Sequence, residues 1–232
     1  MTPALAQLLI GHVVLGLLGI TLFVIVTVGL MRDLLRISLI KWSAFFGFVS
    51  FVASWITGGY YYATYYGKAV KPVIKAGAYP WAHNFVMEAK EHVFLVLPFL
   101  AATVWLVLWL LGGSLETAPG LEIIFMEHRQ KAVQSFAIGA VLAAVFAVAV
   151  TIAAELMPPL KTWLADTFTH HWIGKSVLAA AIYVGTSIII FAVPSAGSQE
   201  QARKSLAALF WISWVVVAAI IGFFLYEAFW AY

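Results

Sequence analysis

The sequence predicts an all-α integral membrane protein built as a six-transmembrane-helix bundle in a single polytopic domain. Three observations carry this. Of the 232 residues, 64% are hydrophobic and only 10% are charged, whereas a soluble domain is about 45–50% apolar and about 25% charged. Six charge-poor stretches are each long enough for the roughly 20 residues that a hydrocarbon core about 30 Å thick requires. The alternation of a membrane β-barrel is absent.

The first span is expected over 5–30. No basic residue precedes it and its apolar run is too long for a signal peptide, so it is expected to be retained. Arg32, Arg36 and Lys41 follow it and lead into a second span over 42–64. That span ends in "GGYYYATYYG", where Gly58 and Gly59 are expected to loosen the helix end and the tyrosines to form an interfacial belt or line a quinol pocket. The segment "KAVKPVIKAGAYPW" then reads as a short amphipathic stretch lying on the membrane, cut by Pro72 and Gly77. "MEAKEHVF" opens a third span over 92–112. "LEIIFMEHRQKA", 121–132, reads as a second interfacial segment ahead of a fourth span over 133–155. "DTFTHHWIGK" precedes the fifth span, 173–194, and the sixth covers 205–229.

Six spans with short loops put both termini on one face, here called face A. All four arginines fall on the other, face B, beside Lys41, Lys131 and Lys204. With the bare N-terminal flank of the first span, this predicts face B as cytoplasmic and both termini outside. The expected location is the inner membrane of a bacterium or archaeon.

Helix parity also gathers the histidines. His12, His83, His92, His170 and His171 fall on face A, and His128 alone on face B. Glu88, Glu91, Glu155, Asp166 and Glu227 join them. His12 to His92 is 80 residues and His92 to His171 is 79, and "HVVLGLLGI" aligns with "HVFLVLPFL". If this is a repeat, the bundle is three helical hairpins.

His12 lies one to two turns inside its span, and ionisable residues there usually face a bundle interior, a cavity or a cofactor. Gly16 and Gly19 below it make a smooth stripe that a helix or a flat macrocycle can approach closely. Glu88 and His92 share a helical face, able to hold one metal ion together or to act as ligand and orienting partner. Glu91 points elsewhere and reads, with Lys90, as an anchor. The helix dipole disfavours a protonated His92, and a neutral imidazole is what a metal needs. His171 and Lys175 share a face, with Lys175 placed to meet Glu155 or a haem propionate. His83 reads as a loop residue.

These residues lead to three expectations. One is a cytochrome b-like redox protein with one b-type haem on His12 and His92, His171 substituting for either, Lys175 on a propionate, and the tyrosines and Glu88 serving quinone binding and proton release. A second is a single zinc, copper or iron ion on His12, Glu88, His92 and His171, in an enzyme or carrier. A third is an accessory subunit whose ten tryptophans and seventeen phenylalanines contact lipid, other membrane subunits or a redox partner. The lack of cysteine excludes disulfides, thiolate zinc sites, iron–sulfur ligation and thioether-linked haem. A net charge of +3, spread over both faces, gives no sign of a nucleic-acid partner.

Overall fold

A computed structural model describes residues 2–32, 36–111, 122–195 and 197–230. The described residues are 93% helical without strands, and among them six helical stretches are long and apolar enough to cross a membrane. The ten helical elements of the described residues are, in order, α1 (Pro3–Arg32), α2 (Ile37–Tyr61), a π-helical segment π1 (Tyr62–Val70), α3 (Lys71–Ala76), a second π-helical segment π2 (Ala82–Met87), α4 (Glu88–Leu111), α5 (Glu122–Leu156), α6 (Pro158–Phe168), α7 (His171–Ala192) and α8 (Gln199–Phe229).

The number of spans matches the expectation, but their ends do not. α2, π1 and α3 run without a break over Ile37–Ala76, 40 residues. At about 1.5 Å per residue that is roughly 60 Å, twice the hydrocarbon thickness. Gly58 and Gly59 therefore do not end the helix. Pro72 does not cut it either, because it sits in the first turn of α3, where a missing N–H costs least. The helix stops at Gly77. The expected surface segment is thus the end of one long helix, packed against π2. "MEAKEHVF" likewise lies within a continuous helix, Ala82–Leu111. Glu88 and His92 do not terminate the helix, because Lys71, His83 and Lys175 on neighbouring elements supply partners for them. The second expected interfacial segment continues directly into α5 from Glu122 onward; residues 112–121, including the expected end of the third span at 112, lie outside the described residues. α6 was not anticipated.

α1 packs on α2 alone among its substantial neighbours. Small residues make this close. A Cβ on Gly19 would lie 2.8 Å from the Phe51 ring, and one on Gly47 2.8 Å from Phe23. The Gly16–Gly19 stripe is therefore filled by α2, and no macrocycle has room there. α4 contacts α2, α5, α7 and α8, while α5 receives α7 and α8 on an alanine face that includes Ala137, Ala140, Ala144 and Ala147. α7 and α8 each pack chiefly on α5 rather than on one another, so the third hairpin of the expected repeat is not a packed unit.

Candidate functional site

The end of the bundle where α2, π1, π2, α4 and α7 meet holds a connected polar network. His92, 1% exposed, stacks on Phe224 at 4.9 Å between centroids. Its Nδ1 lies 2.8 Å from the Glu88 carbonyl oxygen, which makes Nδ1 the protonated nitrogen. Nε2 then accepts from Lys175 Nζ at 3.1 Å. Lys175 is 0% exposed and also donates to Glu155 Oε1 at 3.5 Å, so the expected meeting of Lys175 and Glu155 is present. Glu155 is paired a second time with Lys161. A buried lysine is tolerable only with such partners, because desolvating a charge costs several kcal/mol.

Glu88 closes the other half. Lys71 Nζ lies 3.4 Å from its Oε1 and also donates to the Tyr62 hydroxyl at 3.5 Å. His83, 1% exposed, places Nε2 3.1 Å from the same carboxylate oxygen, off the N–H direction of a well-formed hydrogen bond. Its Nδ1 meets the Tyr66 hydroxyl at 3.1 Å. His83 is therefore a buried member of the network, not a loop residue. π1 supplies Tyr62 and Tyr66 and π2 supplies His83, in line with the concentration of π-helical turns at functional positions.

His170 caps α7 by accepting from Trp172 N at 3.2 Å, after Thr169 turns the chain with φ 67°. Burial first, then the charges of Lys71 and Lys175, hold the His170 pKa below the ordinary histidine value, as an accepting Nδ1 requires. Its ring stacks on His171 at 4.5 Å and meets Tyr62 edge-on at 5.5 Å.

Beside the network lies a cavity of about 310 Å³ walled by His12, Trp55, Tyr62, Tyr66, Glu91, Phe94 and Trp172, among others. Glu91 is 9% exposed, and its Oε1 has no hydrogen-bond partner among the described residues. The indole nitrogens of Trp55 and Trp172 are buried and unpartnered in the same wall. Their rings lie 5.2 Å apart. Gly58 and Gly59 make this wall possible. A Cβ on Gly58 would stand 2.5 Å from His12 Nδ1, and one on Gly59 2.7 Å from the Trp172 ring. His12 cannot easily give way, because its Nδ1 is bonded to the Ser54 carbonyl at 2.8 Å and Ser54 Oγ donates to the His12 carbonyl oxygen at 2.9 Å. Gly58→Ala is expected to cost about 1–3 kcal/mol through overpacking, whereas Gly11→Ala, whose Cβ would meet nothing within 4 Å, costs nothing. Thermal melting in detergent measures both.

The residues expected to share one cofactor do not converge. His12 faces the cavity, with Phe94 edge-on to it at 6.0 Å, while His92 lies outside that wall and has Lys175 on its Nε2. His171 turns to His170, and Lys175 turns to His92. Among the described residues, no three His, Cys, Asp or Glu come together to hold a metal ion. Glu91, expected as an anchor, belongs instead to the cavity wall, and Lys90 borders the same cavity while remaining exposed. Nothing in the sequence singled out Trp55, because an indole in a span is an ordinary packing residue until its N–H is left without a partner.

No family model, no curated protein and no solved structure matches this chain.

Proposed function

We propose that the chain is an integral membrane protein that binds a lipid-soluble, hydroxylated ring compound of the quinol class at face A, with the cavity on the outer side of the membrane. The observation that carries this is the set of three buried, unpartnered polar atoms around one aromatic cavity: Glu91 Oε1, Trp55 Nε1 and Trp172 Nε1. Leaving a buried donor or acceptor unpaired costs about 1–3 kcal/mol each. A ring bearing two oxygens meets both kinds of demand, since a hydroxyl hydrogen donates to Glu91 and the ring oxygens accept from the indoles. The aromatic wall suits a flat ring, in keeping with cavities that are mostly apolar with a few placed polar groups.

A second cavity of about 230 Å³ supports an apolar tail on that ring. It is walled by Phe48, Val52, Leu95, Phe99, Ala180 and others, and Trp55 belongs to both cavities. Apolar cavities of about 150 Å³ already take up benzene. The reading uses no haem, because Lys175 already occupies the imidazole nitrogen His92 would offer.

Tryptophan fluorescence titrated with a decyl-chain benzoquinol tests this. Saturable quenching is expected, with Trp55→Phe and Trp172→Phe each weakening affinity roughly fivefold for one lost neutral hydrogen bond. Quenching that rises linearly with probe partitioning and ignores both substitutions would sink the proposal.

A further inference from the structure

The network beside the cavity is more than packing if it connects the cavity to water, and its geometry has that form. On the far side of Glu88 lies a polar vestibule of about 380 Å³ bordered by Lys71, Lys75, Glu155, Lys161 and Glu227. Lys75 and Thr162 on its rim are exposed, so it reaches the surface. Tyr66 belongs to the wall of the aromatic cavity, Glu88 to the wall of the vestibule, and His83 lies between them. The Tyr66 hydroxyl is 3.1 Å from His83 Nδ1, and His83 Nε2 is 3.1 Å from Glu88 Oε1.

We infer that Tyr66, His83 and Glu88 form a proton route from the ring-binding cavity to the aqueous vestibule. This rests on the ring-binding reading and assigns the polar network its task. An imidazole is the one side chain that can take a proton at one nitrogen while releasing one from the other, five-membered ring between. In the outward step the O–H bond of a ring hydroxyl that faces Tyr66, not the one bonded to Glu91, breaks and its proton passes to the Tyr66 oxygen. The Tyr66 proton passes to His83 Nδ1, and the His83 Nε2 proton passes to a Glu88 carboxylate oxygen. The bound ring keeps the electron pair as a phenolate, and Glu88 carries the added proton into the vestibule. Tyr66 and His83 each end with one proton, His83 as the other tautomer, and the reverse transfer or a ring turn restores it. The last transfer requires the His83 Nε2–H to turn toward Glu88 Oε1, 3.1 Å away. The surrounding charges bear on the last acceptor: Lys71 at 3.4 Å on Oε1 and His92 Nδ1 at 3.9 Å on Oε2, with Lys175 behind His92. Glu91, on the cavity side, holds the ring, and its Oε1 has no hydrogen-bond partner among the described residues.

The probe for the test is a decyl-substituted nitrophenol, whose phenolate is coloured. The protein in lipid nanodiscs is saturated with it and given a rapid pH jump, and the colour change of the bound probe is followed. Saturation keeps affinity out of the measured rate. Tyr66→Phe, which keeps the ring and removes the hydroxyl, is expected to slow the change roughly a hundredfold, the lower end of what a positioned proton donor contributes. His83→Gln and Glu88→Gln are expected to slow it similarly; if burial makes His83→Gln fail to fold, Tyr66→Phe and Glu88→Gln still decide. Unchanged rates in Tyr66→Phe and Glu88→Gln overturn the route while leaving the binding reading intact. Failure of the unsubstituted protein to bind the nitrophenol overturns the cavity reading and the route with it.

Discussion

Glu91→Leu is expected to raise the melting temperature of the detergent-solubilised protein by a few degrees and to remove most of its affinity for the decyl-chain benzoquinol. The two effects have opposite signs for one reason. Glu91 is a buried carboxyl group with an unpaired oxygen in an aromatic wall, and such an atom costs the fold about 1–3 kcal/mol. Leucine removes that cost and fills similar space. The same oxygen is the acceptor for the ring hydroxyl, so its loss weakens binding by a comparable free energy, roughly 5–100-fold. Glu91→Gln keeps an acceptor and is expected to fall between. Stability gained together with function lost is the pattern of a site strained for its ligand. A Glu91→Leu protein that melts lower and still binds the benzoquinol would falsify the assignment.

Lys175→Met is expected to be the most destabilising single change in the network, at about 2–4 kcal/mol. Breaking a buried ion pair by removing one partner typically costs about 3–5 kcal/mol, because the survivor is left uncompensated. Here Glu155 keeps Lys161, which lowers the figure, while His92 Nε2 loses its donor. Lys90→Met, on an exposed residue of the same bundle end, is expected to change stability by less than about 0.5 kcal/mol. The double variant Lys175→Met with Glu155→Gln is expected to lose less than the sum of the singles, since both remove the same contact. Denaturation of the unsubstituted protein, the single variants Lys175→Met, Glu155→Gln and Lys90→Met and the double variant side by side measures this, and equal losses from Lys175→Met and Lys90→Met would refute the buried role of Lys175.

Helix ends were the least legible part of the fold. Charge and glycine are good stop signals when the residues face water or must loosen a turn. At Gly58–Gly59 the missing side chains instead admit His12 and Trp172, and at Glu88–His92 the charges are satisfied laterally by Lys71 and Lys175. Neither reason is local, so neither can be read from neighbours in the chain. The π-helical turns are of the same kind: they carry Tyr62, Tyr66 and His83 into the network, and no local pattern marked them.

The candidate site was legible as a set and not as a geometry. Glu88, His92 and Lys175 were singled out and do belong to one network, but His83 and Glu91 were undervalued. His83 looked like a loop residue because two prolines and two glycines lie within a short distance before it. Glu91 looked like an anchor because it adjoins Lys90 at a helix start.

What the sequence determined by itself was the number of long apolar helices and the end of the bundle where the histidines gather. Apolar run length and helix parity decide both, and neither depends on which faces pack together. What each side chain at that end touches was decided only by tertiary packing. A rotation of α4 or α7 by one residue, roughly 100°, would turn His92 and Lys175 away from each other, and only the packing of both helices against α5 and of Phe224 against the imidazole holds them in register.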